Sequence, residues 1–168
     1  MLRNALREHV NALAVDIGPR PPFNRDSLVR AANYIYSVFE EAGLSVREQD
    51  YQYYDQRVTN VLATAPKAAG GSAYYLVGAH YDCPGHPGCR RQCECRGGAI
   101  RIGRTPPEGA LKAPVLFAAF TLEEPPAHLT GHQGSRIFVR SCQSNANRML
   151  GAIILEMVGY TAPRPHFP

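Results

Sequence analysis

Two polar motifs that could bind a metal ion lie at the ends of apolar runs of the sequence. His80-Tyr81-Asp82 lies near the end of the run Tyr74 to Cys83, and Glu123-Glu124 ends the run Phe117 to Glu124. Apolar runs of this length are typical of buried strands. In an open α/β sheet, sites lie in the crevice outside the carboxyl ends of the strands. The sequence therefore predicts that both motifs meet at one place, a candidate metal site.

The side chains at this place suit a hydrolytic zinc site. Such a site has imidazole and carboxylate ligands, an open position for water and a general base beside it. His80, Glu123, Glu124 and Glu156 have suitable side chains, each at or just after the end of a predicted strand. Adjacent glutamates on an extended segment point to opposite sides, so one of the pair is expected to bind metal and the other to accept a proton. Asp82 is placed to orient the His80 imidazole.

Each motif alone has a simpler structural explanation. A single His-x-Asp has little specificity, and Glu-Glu followed by Pro125-Pro126 is typical of a solvated loop. Their common placement after apolar runs is what favours a site.

The composition is that of one globular domain over residues 1–168. The chain has 168 residues, of which 45% are hydrophobic and 19% charged, and no apolar run approaches the roughly 20 residues of a membrane span. The first 14 residues resemble an amphipathic helix and lack the apolar core of a signal peptide. We therefore expect a cytoplasmic protein with no membrane partner.

The positive charge of the chain is concentrated in one unusual segment. Residues 89–104 contain five arginines and one glutamate, which accounts for the whole formal net charge of +4. No aromatic residues are interleaved with the arginines, so the segment does not resemble a nucleic-acid interface. The surrounding stretch, Pro84 to Gly109, has neither helical nor strand periodicity. We expect it to be irregular and no nucleic acid to bind.

The remaining pattern predicts helices and strands in a mixed α/β order. Helices are expected over Met1 to Val15, from a cap at Asp26 or Ser27 to Gly43, and over Gly134 to Met149. Besides the two runs above, strands are expected over Leu44 to Tyr54, Val58 to Ala63, Ala113 to Phe120 and, as a buried strand, Leu150 to Val158.

Six stretches, in this order, resemble the zinc-dependent exopeptidases of metallopeptidase family twenty-eight, which includes bacterial aminopeptidases and is related to the glutaminyl cyclases. They are Ile17-Gly18-Pro19-Arg20-Pro21, Thr59-Asn60-Val61, Gly78-Ala79-His80-Tyr81-Asp82, Phe120-Thr121-Leu122-Glu123-Glu124, Gly134-Ser135 and Leu155-Glu156-Met157-Val158-Gly159-Tyr160. The resemblance covers nearly the whole chain.

The resemblance implies a three-layer α/β/α fold with a zinc-exopeptidase-like (phosphorylase/hydrolase-like) sheet, two zinc ions, and removal of N-terminal residues from peptides. By position, His80 is similar to the ligand of the first zinc and Asp82 to the carboxylate that orients it. Glu123 is similar to the general base and Glu124 to a ligand of the second zinc. Glu156 lies where the family has an aspartate ligand.

Two features of the family pattern are missing. The family has Gly-Ala-Asp-Asp-Asn shortly after His-x-Asp, with an aspartate that bridges the two metals, whereas here Gly88 is followed by Cys89 to Arg96. The last histidine ligand of the family is expected beyond Pro168. We therefore expect a truncated, N-terminal part of the fold, with a sheet incomplete at its C-terminus, at most partial zinc binding and impaired activity.

A shifted reading frame accounts for the unusual segment. Cys89 to Arg96 can be encoded so that reading one base later gives Ala-Asp-Asp-Asn-Ala-Ser-Ala-Val, which restores the family motif. We hypothesise one extra base near codon 89 and a compensating change between Thr105 and Ala110, so that residues 89–110 are out of register. Sequencing the gene tests this hypothesis.

Two other functions remain open. Without the resemblance, Cys83, His86, Cys89, Cys93 and Cys95 could form a small structural zinc module. The chain could also be a catalytically inactive, peptidase-like protein that binds peptides or one metal ion. The sequence predicts neither the oligomeric state nor the substrate side chain that is preferred.

Overall fold

The computed structural model describes residues 2–64, 73–83, 114–143 and 148–156. The out-of-register segment expected at 89–110 and most of the cysteine-rich stretch lie outside these ranges. In chain order the elements are helix α1 (Leu2–Asn11), a π-helical turn (Ala12–Ile17), helix α2 (Arg25–Glu41), strands β1 (Ser45–Tyr53), β2 (Gln56–Thr64), β3 (Ala73–His80) and β4 (Val115–Phe120), helix α3 (Gly134–Gln143) and strand β5 (Arg148–Ile154).

Helix α2 begins at Arg25, two residues earlier than a cap at Asp26 allows and three earlier than a cap at Ser27 allows. The cap is Asn24, whose Oδ1 accepts a hydrogen bond from the Ser27 backbone N–H at 3.2 Å. The prediction of Asp26 or Ser27 was wrong because three residues that favour the cap position occur within four positions, and Asn24 is the first of them. Gly43 follows the helix with a φ of 78°, and its N–H donates to the Glu40 carbonyl, as expected of a glycine that ends a helix.

The five strands form one mixed sheet in the order β1-β2-β4-β3-β5. Strand β2 runs antiparallel to both β1 and β4, whereas β3 runs parallel to both β4 and β5. In the parallel pair, His80 is the register partner of Phe120, so β3 and β4 end at the same level. The two strands thus end at one edge of the sheet, but β4 ends at Phe120, so Glu123-Glu124 follow the strand in a non-strand segment instead of ending it as predicted.

Helices pack on both faces of the sheet, which gives the three layers. On one face, Val61 and Ala63 of β2 belong to the same buried cluster as Ile35 and Phe39 of α2. The opposite face is covered by Phe138 of α3, which is buried with Leu62, Leu116, Ala118 and Phe120. Alternate residues of a strand face opposite sides, so the near-continuous apolar runs of β2 and β4 are explained by burial on both sides. Full burial of a side chain such as Phe138 stabilises the fold by about 1.5–3 kcal/mol.

The C-terminal part of the described chain differs from the prediction in two ways. Helix α3 ends at Gln143, and Arg148 and Met149 belong to β5 rather than to the helix, because they pair with Ala73 and Tyr74 of β3. Strand β5 was predicted to be buried, but Ile153 and Ile154 are 62% and 54% exposed. The prediction was wrong because β5 is the edge strand of the described sheet.

Within the described residues, no helix has the length and apolar content needed to cross a membrane. The cytoplasmic location stays a prediction.

Candidate functional site

The site lies at the edge of the sheet where β3, β4 and β5 end. His80 is the last residue of β3, and its strand neighbour on one side is Phe120, the last residue of β4. On the other side, Ile154 of β5 pairs with Gly78, and the Leu155 N–H donates to the Gly78 carbonyl at 2.8 Å. Glu156 therefore lies level with His80, just beyond the end of its strand.

Asp82 connects the two segments that carry the candidate ligands. It is completely buried, and its Oδ1 lies 3.1 Å from His80 Nδ1. Its Oδ2 accepts a hydrogen bond from the Glu124 backbone N–H at 2.9 Å. A carboxylate that holds Nδ1 selects the tautomer in which Nε2 has a free lone pair. The arrangement therefore presents Nε2 of His80 to the site.

Two carboxylates lie beside that nitrogen. His80 Nε2 is 3.2 Å from Glu156 Oε2 and 3.9 Å from Glu124 Oε1. The structure thus brings together His80, Glu124 and Glu156, the three residues predicted to bind metal, from three different strand ends.

The Glu123 carboxylate is bound by residues at the beginning of helix α3. Its Oε1 accepts a hydrogen bond from the Ser135 backbone N–H at 2.7 Å, and its Oε2 accepts hydrogen bonds from Ser135 Oγ and Gln133 Nε2, both at 3.0 Å. Burial raises the pKa of this carboxyl group, and the two hydrogen bonds from Ser135 act in the opposite direction. A half-buried carboxylate with a raised pKa, close to a candidate metal site, has the properties of a general base.

The candidate ligands have the right donor types for a metal ion but not a complete set of positions. The donor types suit zinc, and the hydrogen bond from Asp82 orients the imidazole. In the part of the chain that the structure describes, however, no three His, Cys, Asp or Glu side chains converge closely enough to hold an ion. His80 forms a close pair with each of Glu124 and Glu156, but the three groups do not form a finished coordination shell.

Several residues that build the site were not singled out as functional from the sequence. Ser135 and Gln133 bind Glu123, and Arg20 is a fully buried cation whose backbone pairs with that of Cys83, shortly after β3. Arg20 donates from Nε to the Tyr81 carbonyl at 2.6 Å and from Nη1 to the carbonyl groups of Gly18, at 2.5 Å, and Leu13. The only sequence feature that could have indicated Arg20 and Ser135 was their position in two of the family-like stretches.

The state of Cys83 argues against the alternative zinc module, of which it is the first residue. Cys83 is fully buried and disulfide-bonded, so its sulfur is not a free thiolate for zinc. The other four residues of that module, His86, Cys89, Cys93 and Cys95, lie outside the described residues. Cys142, the free cysteine of α3, lies 3.3 Å from the Tyr74 hydroxyl and far along the sequence from the module.

No family model matches the sequence. The chain is 29% identical over 169 residues to the uncharacterized protein YfbL of Escherichia coli, with 95% of this chain and 51% of that protein covered. This chain thus spans about half the length of that curated relative.

Solved structures of similar fold include zinc-dependent exopeptidases and glutaminyl cyclases. The glutaminyl cyclase of Bacteroides thetaiotaomicron has a TM-score of 0.71 at 20% identity and matches 93% of this chain. A zinc-dependent exopeptidase of Parabacteroides distasonis has a TM-score of 0.71 at 19% identity over 94% of this chain, and a leucine aminopeptidase precursor of Bacteroides thetaiotaomicron has 0.70 at 18% over 93%. This chain covers 62% of each of the three. It has the fold shared by zinc-dependent exopeptidases and glutaminyl cyclases, over part of the length of those proteins.

Proposed function

We propose that this chain is a zinc metallopeptidase of the aminopeptidase type, akin to metallopeptidase family twenty-eight, that hydrolyses N-terminal peptide bonds. The observation that carries the proposal is the double contact of Asp82, which joins the His80 imidazole to the Glu124 backbone at the ends of two parallel strands. A fold shared with exopeptidases supports it.

The roles of the residues follow from their contacts. His80, Glu124 and Glu156 would hold zinc, and Asp82 would keep the imidazole in the tautomer that can bind it. Zinc held there would polarise the substrate carbonyl and make nearby water more acidic. Glu123, which Gln133 and Ser135 hold at the beginning of α3, would accept a proton from water and pass it to the leaving amine.

A second candidate is a catalytically inactive, peptidase-like protein that binds a metal ion or a peptide. The observation in its favour is that the described residues contain no complete cluster of metal ligands. The absence of the family's bridging aspartate from the sequence agrees with weak binding of one ion. In either candidate, His80 would be the central ligand of any zinc that is bound.

The test combines zinc binding with hydrolysis by the purified full chain. Leucyl-p-nitroanilide and its N-acetyl derivative differ only in the free amine, so an aminopeptidase should hydrolyse the first and not the second. Glu123→Gln should lower kcat by roughly 10²- to 10⁴-fold, the usual contribution of a general base, and retain zinc. Glu40→Gln makes the same change at an exposed position of α2 and should leave kcat unchanged.

The outcomes separate the two candidates. Zinc that binds through His80, without hydrolysis of either substrate, would support the inactive binding protein. Zinc that is retained in full by His80→Ala would contradict both, because it would have to lie at another site.

A further inference from the structure

Asn60 is a polar side chain in the middle of a buried strand, and the proposed function gives it no role. It is completely buried on β2, as are its neighbours Val61 and Leu62. Burial of an amide destabilises a fold unless the amide is hydrogen-bonded. The surrounding residues must therefore provide hydrogen bonds that replace those the Asn60 amide would form with water.

Its partners come from three other segments. Asn60 Nδ2 donates to Gln49 Oε1 of β1 and to the Gly134 carbonyl, both at 2.9 Å, and Oδ1 accepts from the Thr121 N–H at 3.1 Å. Gly134 also donates its own N–H to the Thr121 carbonyl at 2.9 Å. We call these four residues, Gln49, Asn60, Thr121 and Gly134, the polar bridge.

The polar bridge joins the two chain segments that place Glu123. Thr121 lies two residues before Glu123, and Leu122 between them has a φ of 59°, which turns the chain sharply. Gly134 lies immediately before Ser135, whose N–H and hydroxyl both bind the Glu123 carboxylate. The contacts form a closed ring through Asn60, Thr121, Glu123, Ser135 and Gly134.

The ring leaves no room for adjustment at Gly134. A Cβ at this position would lie 2.2 Å from Asn60 Oδ1 and 2.6 Å from the Thr121 carbonyl oxygen. The backbone of Gly134 is therefore in close contact with both residues, so a displacement of the Asn60 side chain is transmitted to the start of α3.

We infer that Asn60 is a positioning residue: it fixes the beginning of α3 against the end of β4 and so holds the Glu123 carboxylate at its place in the site. The inference rests on the proposed function for its catalytic consequence. The hydrogen bonds of Asn60 go to Gln49, Thr121 and Gly134 and not to the three candidate ligands, so we expect zinc affinity not to depend on it.

The structural part is tested by nuclear magnetic resonance of the full chain, without activity. In the wild type, Glu123→Gln replaces the charged acceptor of the Ser135 N–H by a neutral one and should move the Ser135 amide proton resonance. In an Asn60→Ala background the same substitution should move that resonance much less. Thr59→Ala, a neighbouring change on the same strand, should preserve the full displacement. An equal displacement with and without Asn60 overturns the inference.

The catalytic part is tested by steady-state kinetics and zinc affinity. Asn60→Ala should lower kcat roughly 10- to 100-fold, the usual effect of a displacement of about 1 Å, with KM and zinc affinity unchanged. A parallel fall of kcat and zinc affinity indicates a general loss of structure and overturns the inference. Val58→Ala, a buried change at the start of β2 outside the ring, is the control for destabilisation alone.

Two further cases are covered, an Asn60→Ala variant that does not fold and a wild type that is inactive. If Asn60→Ala does not fold, Asn60→Ser replaces it, since its hydroxyl is too short to reach both Thr121 and Gly134 and the same resonance criterion applies. If the wild type hydrolyses no peptide, the proposed function fails, and the Ser135 resonance alone decides whether Asn60 positions Glu123.

Discussion

The carboxylate of Asp82 accepts a hydrogen bond from the Glu124 backbone N–H at 2.9 Å. Its other oxygen lies 3.1 Å from His80 Nδ1, and the whole side chain is buried. Because one rigid carboxylate contacts both segments, the imidazole and the Glu124 backbone cannot move independently. Asp82 therefore sets the relative place of two candidate ligands that come from different strands.

Replacing this carboxylate by an amide should weaken zinc binding. In Asp82→Asn the NH₂ group can donate to His80 Nδ1, which favours the tautomer with a proton on Nε2. Nε2 then has no free lone pair, so we expect zinc affinity to fall roughly 10- to 100-fold. Competition with a chromophoric chelator measures the change.

Asp50→Asn provides the matched control for this substitution. Asp50 lies on the surface of β1, where it pairs with Arg57 and accepts a hydrogen bond from Thr59 Oγ1. Its replacement should leave zinc affinity unchanged. Equal affinities for the wild type and Asp82→Asn would show that Asp82 does not select the tautomer.

The pKa of Glu123 predicts how stability depends on pH. Burial raises this pKa above the ordinary value of 4.5, so the folded chain holds the proton more tightly than the unfolded chain. The stabilisation from the protonated group is fully present below pH 4.5 and is lost as the pH rises through the raised pKa. The free energy of unfolding of the metal-free wild type, relative to Glu123→Gln, should therefore fall as the pH rises above 4.5.

Urea unfolding at several pH values between 4 and 7, about the range in which carboxyl groups of raised pKa titrate, measures this difference. Glu40→Gln, at an exposed position, should give no such trend. A difference that grows with pH would mean that hydrogen bonds from Ser135, which lower the pKa, outweigh burial.

The sequence predicted which edge of the sheet carries the candidate site, because that edge is indicated by short local patterns. Two apolar runs that end in His80 and Glu123-Glu124 identify strand ends, and the carboxyl ends of parallel strands share one edge. The strand order could not be predicted in the same way, because β4 inserts between β2 and β3 through a connection that the pattern does not specify. The exposure of β5 was missed because an apolar run has the same composition in an edge strand as in a central one.

The sequence could not predict the buried hydrogen bonds of Asn60 and Arg20, because their partners are distant along the chain. Asn60 and Gly134, or Arg20 and Tyr81, are far apart in the sequence, and they meet only after the sheet has formed. The side chains of Asn60 and Arg20 are polar but buried. The periodicity of the sequence therefore indicates an interrupted strand at Asn60 and a proline-rich turn at Arg20. The resemblance indicated these positions without indicating what they contact.

The close contact at Gly134 predicts a strong effect of one added methyl group. Gly134→Ala would place a Cβ 2.2 Å from Asn60 Oδ1 and 2.6 Å from the Thr121 carbonyl oxygen. We expect a loss of about 1–3 kcal/mol in the free energy of unfolding, as for overpacking of a core. Gly151→Ala is the control, because its nearest atoms, in the Tyr75 ring, are 3.5 Å away. Similar urea midpoints for the two variants would contradict the tight contact.

Arg20 should contribute to the stability of the strand end that carries His80. Arg20→Met keeps most of the apolar stem but removes the donors to the buried carbonyl groups of Leu13, Gly18 and Tyr81. An unsatisfied buried acceptor costs about 1–3 kcal/mol, so the free energy of unfolding should fall by at least about 3 kcal/mol. Arg30→Met, which removes one exposed hydrogen bond to the Asp16 carbonyl, should change it by less than about 0.5 kcal/mol. Equal losses for the two arginines in urea unfolding would mean that Arg20 does not hold the end of β3 in place.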